Sequence, residues 1–264
     1  LAYGDYQPVY IPTADDEQVR DYLRMRNDHQ QAWKKVKQQI NAFCLRLGKH
    51  FTGGRNKWTE LHLDWLHDLV LDPLHREILD EYLITYDLHV TRLAAFDERI
   101  NELAALDCYR ERVHQLSCFL GIKTYTGLSL LVETGDFTRF SRADCFASYL
   151  GLTPGEQSSG ETIRRGGITK AGNKELRRLL VEAAQSIGRG RIGYKSKALK
   201  ARQKGNDSKV IAYADRANER LRRKFYRMTR QGKKYNVAIT AIARELACFI
   251  WGMMTNHLDV RQAG

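Results

Sequence analysis

Three kinds of side chain in this sequence could do chemistry, and their spacing tells them apart. The first is a serine pair, Ser158 and Ser159, which precedes Gly160 in the stretch TPGEQSSGETIRRGGITKAGN. Arg164, Arg165 and Lys170 flank it, and a helix is expected to start near Asn173. A serine oxygen among cations and the N–H groups of a helix start is placed to attack, or to bind, a phosphate. No histidine lies near it in sequence to act as a base, and an SSG turn is ordinarily a structural element. The second kind is histidine. His62 and His67 lie five residues apart on an expected helix and so point in different directions, which suits neither a zinc pair nor an HExxH arrangement. They read as core or surface histidines. The third kind is carboxylate. Metal-assisted phosphoryl transfer needs clustered acids, whereas Asp15, Asp16, Glu17, Asp97 and Glu98 read as helix-start or solvated-face residues. No Walker motif or GxGxxG is present, which argues against a nucleotide-cofactor enzyme. No metal site and no cofactor are expected in this chain.

The elements that must position the serines are mostly helical. Thr13 can cap a first helix with Asp16 three residues on, and Gly48 falls where it should end. Between them Val19, Tyr22, Leu23, Trp33, Val36, Ile40, Phe43 and Leu47 recur at three- and four-residue steps. A second stretch, Trp58 to Leu71, is followed by Pro73, a good first-turn residue for a third helix. There Leu79, Leu83, Tyr86, Val90, Leu93, Ile100 and Leu103 follow a period near 3.5. This spacing fits either a coiled-coil-like hairpin or arm, or an ordinary long core helix.

Beyond Asp107 the texture changes to short helices separated by glycine turns. Gly121 and Gly127 surround a tight connection that could be a helix-hairpin-helix aiming N–H groups at a phosphate, or a plain helical turn. SRADCFASYLGL follows, with Ser141 as its expected cap. The Gly-, Ser- and Thr-rich stretch after it, about twenty residues long, reads as a functional loop. A helix is then expected from about Asn173, and an apolar one over Val237–Met254 with Ile239, Ile242, Leu246, Phe249 and Ile250 on its core face. No strand is convincing except PVYIP near the start. The fold class is therefore mainly α, a long helical or coiled-coil hairpin followed by a compact helical domain with a helix-hairpin-helix-like element. The expected divisions are 1–12, 13–106 and 107–258.

Charge narrows the function. The 264 residues carry a net +12, but residues 161–235 hold 23 Lys and Arg against 6 Asp and Glu. That block nets about +17 and the remainder about −5, which favours a polyanionic partner such as nucleic acid. Arg222, Arg223 and Lys224 adjoin Phe225 and Tyr226, a pairing suited to phosphate contact with base stacking. Mean hydropathy is −0.51, and no apolar run approaches the roughly 20 residues of a membrane span. Five scattered cysteines (Cys44, Cys108, Cys118, Cys145, Cys248) fit reduced thiols of a cytoplasmic protein. No signal peptide is visible after the opening Leu1, and the sequence reads as a piece of something longer or as a product that starts at an unusual point.

The stretch YLGLTPGEQSSGETIRRGGITKAGNKELRRLLVEAA resembles the signature block of the insertion-sequence one-ten family of bacterial transposases, regarded as bridge-RNA-guided DNA recombinases. FLGIKTYTGLSLLVETGDFTRF, the first helix and WTELHLDWL are also similar to that family, so the resemblance covers nearly the whole chain. It implies a RuvC-like domain with Asp-Glu-Asp-Asp magnesium ligands, and a C-terminal domain with a nucleophilic serine. The family's serine–glycine step matches Ser159-Gly160, with Ser158 its neighbour. Gly160, Arg164, Arg165, Gly167, Thr169, Lys170, Gly172, Asn173 and Arg177 become expected DNA contacts, joined by Arg222, Arg223 and Lys224. The family's last acidic motif should lie just before LAYGDYQPVY, so magnesium is expected for a full-length member and not for this chain. DNA, a guide RNA and a homo-oligomeric partner are expected; a membrane is not. The competing reading is a non-catalytic nucleic-acid-binding remnant. A purely structural coiled-coil module leaves the basic block unexplained.

Overall fold

The computed structural model describes residues 10–159 and 162–258, with backbone alone for 156–159 and 162–165. Helix caps set the first boundaries. The Thr13 hydroxyl accepts from the Asp16 N–H at 3.1 Å and α1 runs Ala14–Arg46. It ends where Gly48 turns left-handed at φ +67° and Lys49 N–H donates to the Cys44 carbonyl at 2.9 Å, the geometry that glycine closes at low cost. Helix α2 is Glu60–His67, and α3 starts on Pro73 and runs to Ala104.

Residues 21–99 form one compact unit. Within it α1 and α3 run antiparallel, since Tyr22 meets Phe96, Trp33 meets Tyr86 and Phe43 meets Tyr82, all at 5.9–6.2 Å between ring centres. Val36, Ile40, Phe43, Leu66, Leu79, Leu83 and Tyr86 share one core. The apolar seam of α3 is thus covered within the chain, except for Val90, which is 41% exposed. Arg26 grips both carboxylate oxygens of Asp97 at 2.8 and 3.0 Å.

The second unit comprises residues 1–20 and 100–264, as far as they are described. Its helices are α4 (Asp107–Leu116), α5 (Thr124–Thr134), α6 (Ala143–Tyr149), α7 (Lys174–Gly188), α8 (Lys197–Gln203), α9 (Ser208–Arg230) and α10 (Tyr235–Met254). Helix α10 is the hub and packs on α6, α7 and α9, burying Ile239, Ile242, Leu246, Phe249 and Ile250. Trp251 Nε1 reaches the carbonyls of Phe137 and Phe140, both at 3.2 Å. The protein is mainly α, as its sequence patterning implies.

Several local expectations are corrected. The glycine-rich stretch expected to be a loop is an antiparallel hairpin, β1 (Pro154–Ser159) with β2 (Thr162–Ile168). Residues 8–9 of PVYIP lie outside the described residues, and Tyr10–Pro12 form no strand. The cap of α6 is Arg142, not Ser141, and it makes no side-chain cap bond; Ser141 Oγ instead sits 3.7 Å from Cys145 Sγ. Helix α10, at 20 residues, is long and apolar enough to cross a membrane by length and composition, but its apolar face is spent on its three neighbours. In the α4–α5 connection, Gly121 adopts φ +80° and a Cβ there would lie 2.4 Å from the Ala183 carbonyl oxygen. That turn is pressed against α7, while Gly127 lies inside α5.

Candidate nucleic-acid interface

The hairpin that carries the serines is clamped at its root. Thr169 N–H donates to the Thr153 carbonyl at 2.9 Å, and Lys170 N–H to the Gly151 carbonyl at 3.2 Å. Two glycines let these segments touch. A Cβ on Gly151 (φ +64°) would sit 2.1 Å from the Ala171 carbonyl oxygen, and one on Gly172 (φ +72°) 1.8 Å from that of Tyr149. Only a residue without Cβ fits such an approach. Lys170 itself is left-handed at φ +57°, an unusual state for a side chain of its size.

Immediately after the root comes the start of α7. Asn173 is its cap, accepting from Leu176 N–H at 3.0 Å. The same carboxamide donates to Glu133 Oε2 at 2.8 Å, and Glu133 is a buried carboxylate on α5. Arg177, one turn on, donates through Nη1 to the carbonyls of Leu150 at 2.9 Å and Ala171 at 3.0 Å. Asn173 and Arg177, expected as DNA contacts, are therefore engaged in holding the hairpin root to α7. Gly167, Thr169, Lys170 and Gly172 lie beside it, and all four are exposed.

Along the ribbon, Ser159 pairs with Thr162 and Gln157 with Arg164, while Ser158 pairs with Ile163 and Glu156 with Arg165. Ser159 and Arg164 are therefore two rungs apart in the backbone ladder, as are Ser158 and Arg165. Gly160 lies outside the described residues. Between Pro154 and Glu156 the register shifts, an irregularity that falls among Gly155, Gly166 and Gly167.

The basic helix α9 divides its cations into two groups. Arg222 is 6% exposed and its Nη1 donates to the carbonyls of Arg191 at 2.8 Å and Tyr194 at 2.5 Å. Burial pulls its pKa below the ordinary guanidinium value. Lys224 Nζ pairs with Glu245 at 2.5 Å. Neither is presented to a phosphate as the sequence suggested; both are bound inside the unit. Arg223 is exposed and keeps one contact, to Glu219 at 2.8 Å. Arg191, Arg227 and Arg230, which composition alone does not single out, stand near it. A signal was present: the buried stripe Val210, Tyr213, Ala214, Ala217, Leu221, Phe225 carries 218 and 222 inward and leaves 223, 227 and 230 outside.

His62 is buried in the core of residues 21–99, where its Nδ1 accepts from Trp58 N–H at 3.2 Å. Burial, then the Lys57 and Lys37 charges, push its pKa below the usual histidine range. Among the described residues no three His, Cys, Asp or Glu are grouped so as to hold a metal.

Residues 113–201, from α4 through the hairpin to α8, match the transposase IS116/IS110/IS902 family. The chain is 36% identical over 255 residues to y4qE of Sinorhizobium fredii, a protein named as a transposase, covering 96% of this chain and 61% of that one. It is 31% identical over 233 residues to the transposase for insertion sequence element IS1533 of Leptospira borgpetersenii, covering 85% and 65%. A pilin gene-inverting protein of Moraxella bovis is 32% identical over 156 residues, covering 55% and 48%. The chain thus spans less than two thirds of the length of these relatives.

Proposed function

Because the chain belongs to the IS116/IS110/IS902 family of transposases, we propose that it supplies the serine-bearing, DNA-binding part of a site-specific DNA recombinase. The observation that carries this reading is the position of the family match, which spans the clamped hairpin and the start of α7. In it, Ser159 Oγ forms a bond to a DNA phosphorus while the bond from that phosphorus to the leaving strand's sugar oxygen breaks. A hydroxyl of the incoming strand then displaces serine. One phosphodiester replaces another, so the bond inventory is unchanged, and the protein's task is positioning and charge compensation. Arg164, two rungs from Ser159, and the exposed Lys170 offset charge on the phosphate. A guide RNA, by resemblance to the family, and a homo-oligomer, from the apolar seam of residues 79–103, belong to the same proposal.

The test joins this chain to the portion of a full-length relative that it does not match, with magnesium and guide RNA supplied. Strand exchange is expected, and Ser159→Ala should abolish it while DNA binding persists. This chain by itself should bind DNA without recombining it. A covalent protein–DNA adduct that survives Ser159→Ala moves the nucleophile to Ser158 or ends the assignment.

A further inference from the structure

The outward-facing arginines of α9 and the turn before it line a groove of about 500 Å³, with Arg191, Ile192, Arg223, Tyr226, Arg227 and Arg230 around it. We propose that this groove seats a single strand of DNA, its phosphates on the arginines and an unpaired base on Tyr226. The inference rests on the reading that this protein acts on DNA, and adds a binding site apart from the serine hairpin.

Three observations carry it. First, Arg223, Arg227 and Arg230 follow at steps of four and three on one face of α9, which sets three guanidiniums over roughly 10 Å of helix. Arg191, Arg227 and Arg230 form no ion pair among the described residues, whereas Arg220 and Lys224 share Glu245 and Lys195 holds Asp215. Arg220, Lys224 and Lys195 are thus neutralised by carboxylates of the fold and Arg223 is shared with Glu219, while Arg191, Arg227 and Arg230 around the groove are left for phosphates to exchange against condensed counterions.

Second, the groove is built in advance. The buried Arg222 ties the 191–194 turn to α9 through the carbonyls of Arg191 and Tyr194. Tyr226 hydroxyl donates to the Gly190 carbonyl at 3.0 Å, so its ring is fixed in the wall, and Glu219 accepts from Gly193 N–H at 3.0 Å. A site whose ordering cost is already met binds more tightly for the same contacts.

Third, the groove is not purely ionic. Ile192 is 47% exposed and lies with Tyr226 among the arginines. A duplex keeps its bases stacked and paired away from such a surface, whereas a single strand can lay a base on an aromatic ring.

The test measures binding of the 264-residue chain to labelled oligonucleotides of about 12 nucleotides, by fluorescence anisotropy over a salt series. The Arg227→Gln/Arg230→Gln double variant should bind single-stranded DNA about 10-fold or more weakly, with a log–log salt slope shallower by about 1.4. Arg191→Gln should lower affinity alone, with a slope shallower by about 0.7. Both variants should melt as the wild type does, since the side chains removed make no ion pair within the fold. If the wild type binds DNA and the variants bind equally with the same slope, the groove proposal falls while the strand-exchange reading stands. A wild type that binds no DNA ends both. An equal loss on duplex DNA overturns the single-strand assignment, and an RNA strand bound about 10-fold more tightly than its DNA counterpart overturns the choice of DNA.

Discussion

The carboxamide of Asn173 caps α7 and grips Glu133 at once, taking the Leu176 N–H at 3.0 Å and giving its own N–H to Glu133 Oε2 at 2.8 Å. One side chain thereby ties the helix after the hairpin to α5. Asn173→Asp should separate the two duties. Aspartate caps a helix start as well as asparagine does, but here it faces a buried carboxylate. Like charges raise the folded-state pKa of the pair above its unfolded value, so protonation favours the fold. The variant should be destabilised at neutral pH and recover as pH falls through that raised pKa. Asn173→Ala should cost about 1–2 kcal/mol with no such recovery. Denaturant titrations across pH distinguish the two.

Gly172 and Gly167 make a matched pair. Gly172→Ala places a Cβ 1.8 Å from the Tyr149 carbonyl oxygen at φ +72°, and should cost about 3 kcal/mol or more. At Gly167 an added Cβ meets nothing within 4 Å, so Gly167→Ala should stay within about 0.5 kcal/mol. Thermal melting of both variants checks the contrast.

Glu245 receives Arg220 and Lys224, each at 2.5 Å, with its own side chain 13% exposed. Burial pushes its pKa up, but the hydrogen bonds and charges of Lys224 and Arg220 more than offset this and hold it below the ordinary value of 4.5. A depressed carboxylate contributes stability above its unfolded pKa and loses it as pH falls through the folded one. Glu245→Gln should therefore cost about 1–2 kcal/mol near neutral pH. The difference from wild type should vanish in acid below the folded pKa, as urea melts at several pH values can show.

Ile84 and Leu88 lie one turn apart on α3 and are 61% and 52% exposed. For the proposed homo-oligomer, expected from the apolar seam of residues 79–103, this turn offers the contact. Sedimentation at micromolar concentration should show a dimer or larger species, and Ile84→Glu/Leu88→Glu should shift it toward monomer without changing secondary structure. A wild type that sediments strictly as a monomer removes the expectation.

Much of the helical framework was legible because its signals are local. Thr13, Pro73 and Asn173 mark three helix starts by side-chain chemistry that needs no tertiary context, and the apolar face of α10 is continuous. The hairpin was not legible. PGEQSS and TIRRGGI show no apolar alternation, and the close approach of Gly151 and Gly172 at their root is a tertiary contact that sequence pattern does not signal. The serines stand out by type, but their rung partners follow only from register. In the basic block, composition placed Arg222 and Lys224 outside by their charge, and only the period of α9 sorts inward cations from outward ones.

Helix α10 has a consequence for biosynthesis. The chain grows from its N-terminus, so residues 21–99 emerge with all their core partners and can fold while synthesis continues. The unit carrying the serine hairpin cannot, because α6, α7 and α9 rest on α10, and Trp251 closes bonds to carbonyls more than a hundred residues earlier. An unfinished chain therefore exposes the basic helix without the framework that sorts its arginines. Translation itself delays the assembly of this unit until α10 has left the ribosome.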